Sequence, residues 1–181
     1  MNLKILKSIV ICSLAGLVPV FGQTFPVTLD PAVNGKFTVS PALPADGKVA
    51  AGTVLTVTAT PDAGFVVDAG YYSVPGRWGQ TYTEFPGMAT YKGTIDKEKH
   101  IGVSFIEKSA VDHINVTNDV VYAQPGKKVL KYDVYSPKGA KNLPIIVIIH
   151  GGGWSSNCED VMRGLARELT KGGQYVVFSI D

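Results

Sequence analysis

The sequence predicts an all-β module followed by the first strands and helix of an incomplete α/β sheet. Two changes of pattern carry this. Up to about Lys108, runs with apolar residues at every second position alternate with Pro, Gly, Asp and Asn turns. After Val111, two continuously apolar runs flank a stretch with apolar residues at helical spacing. The 181 residues are 45% hydrophobic and 18% charged, which is a globular composition with room for one ordinary domain or two small ones.

The first 22 residues read as a signal peptide. Lys4 and Lys7 make a basic start, and the apolar run Ile9 to Val20 is short for a bilayer span. Gly22 is a small residue at a plausible cleavage point. Cys12 does not follow a Leu-Ala-Gly lipobox, so no lipoprotein is read. Cleavage implies a secreted or cell-surface protein with no stable membrane span. It also removes two lysines and no acids, so Lys+Arg falls from 17 to 15 and balances 15 Asp+Glu. A neutral mature chain gives no reason to expect a nucleic-acid partner.

Residues 23–108 form the β module. In Thr53-Val54-Leu55-Thr56-Val57-Thr58-Ala59-Thr60, Leu55, Val57 and Ala59 point one way and the threonines the other. Ile101-Gly102-Val103-Ser104-Phe105 alternates in the same manner. Asn34-Gly35 and Asp46-Gly47 are turn signals, and no convincing helix precedes Val111. The stretch Gly52 to Phe65, with the closing run Thr94 to Phe105, resembles the divergent InlB B-repeat family of small β-rich modules. One copy is present. Tyr71 and Tyr72 stand where that family commonly has a Trp. Tyr71, Tyr72, Trp78, Tyr82, Phe85 and Tyr91 read as core filling in preference to a sugar-stacking platform.

Residues 109–181 follow a short junction, Ser109 to Asp112. Leu130 to Tyr135 alternates like an outer antiparallel strand, and Ser136-Pro137-Lys138-Gly139 is a turn. Ile145 to Ile149 is apolar throughout, as a central parallel strand is when both faces are covered. Val161, Met162, Leu165, Ala166 and Leu169 make one helical stripe. Ser156-Asn157-Cys158-Glu159 fits a capping box, acids open the helix, and Arg163, Arg167 and Lys171 lie toward its negative end. Gly172-Gly173 stops it, and Tyr175 to Ile180 is a second buried strand, completing a βαβ unit.

His150-Gly151-Gly152-Gly153-Trp154 begins where the first buried strand ends, the edge at which open α/β sheets bind ligands. Consecutive glycines let backbone N–H groups converge on one spot, where they can stabilise a developing oxyanion. An HGGG loop after the third strand is the oxyanion element of lipases and esterases. The segment from about Val111 to Asp181 accordingly resembles secreted carbohydrate and feruloyl esterases of the α/β-hydrolase fold, near the hormone-sensitive-lipase group, most specifically in Ile146 to Trp154. The resemblance implies that Gly151 and Gly152 donate N–H groups, that Gly153 shapes the loop, that His150 supports it and that Trp154 packs beneath. It implies an ester substrate, of the kind linked to plant polysaccharide. Such a domain typically runs to roughly 250 residues, so the match covers only its opening.

The family's nucleophile lies in a later G-x-S-x-G elbow. None occurs in these residues, so this chain taken alone is expected to be inactive. Gly153-Trp154-Ser155-Ser156-Asn157 comes nearest but lacks the last glycine. Ser156 reads as a helix cap and Cys158 as a packing residue. Neither G-x-G-x-x-G nor Gly-Lys-Ser/Thr is present, and His100, His113 and His150 are scattered, so no cofactor and no metal is expected. Cys158 is the lone mature cysteine, which excludes an intramolecular disulfide. Two functions follow: a secreted carboxylic-ester hydrolase with a β accessory module, or a non-catalytic binding or adhesion protein that uses the β module.

Overall fold

The computed structural model describes residues 22–77, 79–151 and 158–181. The readings of a signal peptide, of Trp78, of Gly152 to Trp154 and of Ser155 to Asn157 lie outside them. The N-terminal part holds eight strands: β1 (Thr24–Leu29), β2 (Gly35–Ser40), β3 (Lys48–Ala50), β4 (Val54–Pro61), β5 (Phe65–Gly76), β6 (Gly79–Pro86), β7 (Thr90–Thr94) and β8 (Lys99–Glu107). They form one sheet ordered β3-β1-β8-β5-β6 and another ordered β2-β4-β7. Only β1 and β8 run parallel; the other pairs in these sheets are antiparallel.

The two sheets share one core. Leu55, Val57, Ala59 and Tyr91 come from the smaller sheet, and Val27, Val49, Ile101 and Val103 from the larger. The period-two reading of β4 holds: Leu55, Val57 and Ala59 are buried while Val54, Thr58 and Thr60 are exposed. Tyr72, Phe85 and Tyr91 stack within this core at centroid separations of 5.7 and 4.6 Å. The Tyr91 ring lies where a Cβ on Gly70 would stand, so the close approach itself requires glycine there. The Tyr91 hydroxyl sits 2.7 Å from the carbonyl oxygen of Tyr71 and 2.9 Å from that of Gly102, which satisfies it without water. Tyr82 remains exposed.

A single turn of 3-10 helix, Lys108–Ala110, occupies the junction. Beyond it come β9 (Ile114–Ala123), β10 (Leu130–Pro137), β11 (Ile145–Ile149), a 3-10 turn (Glu159–Met162), α1 (Arg163–Lys171) and β12 (Val176–Ile180). The sheet order is β11-β12-β10-β9, with β11 and β12 parallel and the remaining pairs antiparallel. Ile114, Tyr135, Ile148, Ala166 and Val177 form its core beneath α1.

Two details of the helical stretch differ from the sequence reading. The α-helix starts at Arg163 rather than near Ser156, because Glu159 to Met162 coil as 3-10, and no side chain caps that turn. The buried stripe is rotated: Met162, Ala166, Leu169 and Thr170 face inward while Val161 and Leu165 are about half exposed. Among the described strands β11 is an edge with one covered face, its residues Ile145, Val147 and Ile149 being 62%, 53% and 69% exposed.

Candidate functional site

β11 carries its chain to the edge at which His150 and Gly151 emerge. Its register with β12 ends at Ile149 opposite Ile180, so His150 follows directly on the last ladder pair. The imidazole of His150 is half-buried, and its Nδ1 lies 2.8 Å from the carbonyl oxygen of Gly151. In the Nδ1–H tautomer the ring donates to that carbonyl and ties the start of the glycine segment to itself. Gly151 is exposed, and among the described residues no atom beyond its chain neighbours lies within 4 Å of where a Cβ would stand. Gly152 and Gly153 lie outside the described residues, so of the four predicted site residues the structure brings together His150 and Gly151.

The described chain resumes at Cys158, beside a cluster of carboxylates that the sequence reading did not single out. Glu159 is 4% exposed, and its backbone carbonyl accepts a hydrogen bond from Ser179 Oγ at 2.7 Å, which pins the turn to β12. Burial pushes the Glu159 carboxyl up, and Asp181, Asp160 and Asp133 add to the shift. Burial likewise raises Asp160 to about 6, helped by Asp133 and Glu84 and opposed by Arg163. The Cys158 thiol, half-buried and 3.9 Å from an Asp160 oxygen, is pushed up to about 11 by burial, which makes it a poor nucleophile. Among the described residues no group of three or more His, Cys, Asp or Glu is arranged to hold a metal ion.

Asp133 has a structural explanation. Between Tyr132 and Val134 the β9–β10 register shifts, so that Asn118 and Asp119 on β9 stand opposite Asp133 alone. Asp119 takes a positive φ of 62°, and its freed N–H donates to Asp133 Oδ1 at 2.8 Å. The buried carboxylate thus closes the bulge. Its burial raises its pKa, and the Asp119 N–H offsets part of that.

Of the three basic residues expected toward the helix C-terminus only Lys171 stands in the last turn, whereas Arg163 opens α1 and Arg167 sits near its middle. The two arginines cross to the β module, where both engage Asp68 and Arg163 also engages Glu84. Arg163 spans the Asp68 carboxylate with Nε and Nη2, each at 3.3 Å. All four side chains are no more than 20% exposed. Burial opposes the charge on Asp68, but the two guanidinium groups outweigh it and hold its carboxyl below the usual value. The sequence signal was faint: Asp68 is a lone acid inside an otherwise apolar strand.

With this geometry in place, comparison with known proteins adds one finding. A family model described as BD-FAE matches residues 132–181. The matched stretch runs from β10 to β12, and it fits an esterase-like, α/β-hydrolase-related domain. No curated protein and no solved structure matches the chain. Among the described residues no helix is long and apolar enough to cross a membrane.

Proposed function

We propose that this chain contributes the oxyanion-binding portion of a secreted carboxylic-ester hydrolase of the carbohydrate or feruloyl esterase type. The observation that carries the reading is the BD-FAE match over 132–181, which includes the strand that delivers His150 and Gly151. The sheet order supports it. β11 is the third strand of its sheet in chain order and lies outside β12, the position from which an HGGG segment serves an esterase. In this reading Gly151 and Gly152 donate N–H groups to the developing oxyanion, Gly153 gives the loop its close backbone, and His150 holds it in place through the Gly151 carbonyl. The β module is its accessory part. Its described aromatics mostly fill its own core, which favours this reading over an adhesion protein that stacks sugars on an aromatic platform.

The test uses the protein expressed from its full reading frame, assayed with p-nitrophenyl acetate and methyl ferulate. Turnover is expected, and Gly152→Pro, which deletes one donor, is expected to lower kcat about 100-fold. A full-frame protein that hydrolyses neither ester, or a Gly152→Pro variant with undiminished kcat, would overturn the reading.

A further inference from the structure

We propose that Arg163 is a positioning residue, through which the β module holds the turn that follows the glycine segment in the chain. Three observations meet at this side chain. Its Nε and Nη2 grip Asp68 on β5, and its Nη1 reaches Glu84 on β6. The same Nη1 lies 3.4 Å from the backbone carbonyl of Asp160, inside the 3-10 turn Glu159–Met162. That carbonyl also accepts the backbone N–H of Arg163. One guanidinium therefore links two strands of the β module to the turn that leads back from His150 and Gly151.

The β module is shaped to present this link. The β5–β8 register shifts between Val67 and Ala69, which makes Asp68 the extra residue of a bulge. A bulge re-aims its side chain, here out of the sheet and toward α1. The Gly87 N–H donates to the Asp68 carbonyl at 2.8 Å, and Ser104 Oγ lies 3.3 Å from its carboxylate, so the acid is fixed from its own side as well. Arg167 supplies the second positive charge, giving two cations against Asp68 and Glu84 in a little-exposed cluster. A cluster balanced in this way transmits position well, because moving either partner leaves a buried charge uncompensated. On the other side of the glycine segment in the chain, the β11–β12 ladder ends at Ile149 opposite Ile180. The β module thus helps fix the turn that opens α1, beyond being an appended accessory. The geometric claim stands apart from the esterase reading, on which only its catalytic use rests.

The test is amide hydrogen exchange on the full chain, read at Gly151, Cys158 and Val161, with Leu55 and Ile101 as internal references. Glu84→Gln, Arg163→Gln and the double variant form a cycle. Each single variant is expected to speed exchange at Cys158 and Val161 about tenfold with the references unchanged, and the double variant to add little further. Arg163→Lys keeps charge and loses the fork, and is expected to recover only part of the protection. Should Arg163→Gln fail to fold, the wild-type chain compared at 0.05 and 1 M salt gives the second reading, with faster exchange at Val161 expected at high salt. Unchanged exchange at Cys158 and Val161 in the folded single variants, or strictly additive effects, would overturn the proposal. None of these outcomes depends on ester turnover.

Discussion

At the scale of single residues, one buried carboxylate is explained by the backbone irregularity beside it. Asp133 closes the bulge at Asp119, and its own pKa is raised by burial. An amide at this position keeps the acceptor and removes the cost of a buried charge. Asp133→Asn is therefore expected to be neutral or slightly stabilising. Asp133→Ala strands the Asp119 N–H and is expected to cost about 2 kcal/mol. Chemical denaturation of both variants against the parent checks the pair; equal losses would remove the bulge-closing role. Tyr91 offers a parallel case in the β module. Its hydroxyl serves two buried carbonyls, and Tyr91→Phe is expected to cost about 1 kcal/mol in the same measurement.

At the scale of elements, the turn before α1 gives a pH dependence with a definite sign. Asp160 has a folded value of about 6 against an ordinary 3.8. Below roughly pH 4 it is protonated in both states. As pH rises toward 6 the unfolded chain releases its proton first, so the folded state loses stability over that window. Asp68, held low by two arginines, acts in the opposite sense: its contribution is complete above 3.8 and is lost as pH falls through its folded value. Asp160→Asn is expected to recover roughly 2 kcal/mol at pH 7 and nothing at pH 4, measured by denaturant melts at both pH values. A second element-scale expectation concerns β11. Its outward Ile145, Val147 and Ile149 lie on an edge, a template for association. Val147→Lys is expected to raise soluble yield of this chain while shifting stability by no more than about 0.5 kcal/mol. Light scattering and melts read the two separately.

At the scale of the whole molecule, the two parts have separate cores and share a charged contact. The β module has the internal packing to fold alone, so Gln23 to Lys108 is expected to melt cooperatively with dispersed amide signals. Excised, it loses the guanidinium groups facing Asp68, and the Asp68 carboxyl is expected to return toward its ordinary value by NMR titration. The segment Val111 to Asp181 has an open β11 edge and loses the acids that face Arg163 and Arg167. It is expected to be poorly soluble by itself. A soluble monomer with strong amide protection at Ile146 to Ile149 would contradict that.

Much of the fold was legible in the residues because periodicity is a local property. Period two in β4 and β8, the continuous apolar runs of β11 and β12, and the change of pattern near Ser109 all report neighbours a few residues apart. β9 escaped because Asn118 and Asp119 interrupt its alternation, and a bulge looks like a loop to a reading by period. The helix start also escaped. Ser156 and Glu159 fit a capping box, yet burial of Glu159 against β12 draws the turn into 3-10 geometry, and α1 rotates so that Val161 and Leu165 face outward.

The glycine segment after an apolar strand was determined by sequence alone, since glycine content and strand pattern are carried by adjacent residues. Only tertiary structure decided which charges meet. Asp68 and Arg163 are separated by 95 positions, and Asp68 and Arg167 by 99. No local pattern encodes a pairing at that separation. It arises because a bulge turns one side chain out of its sheet and the rotated helix brings two guanidinium groups to it, and both events depend on how the two cores pack.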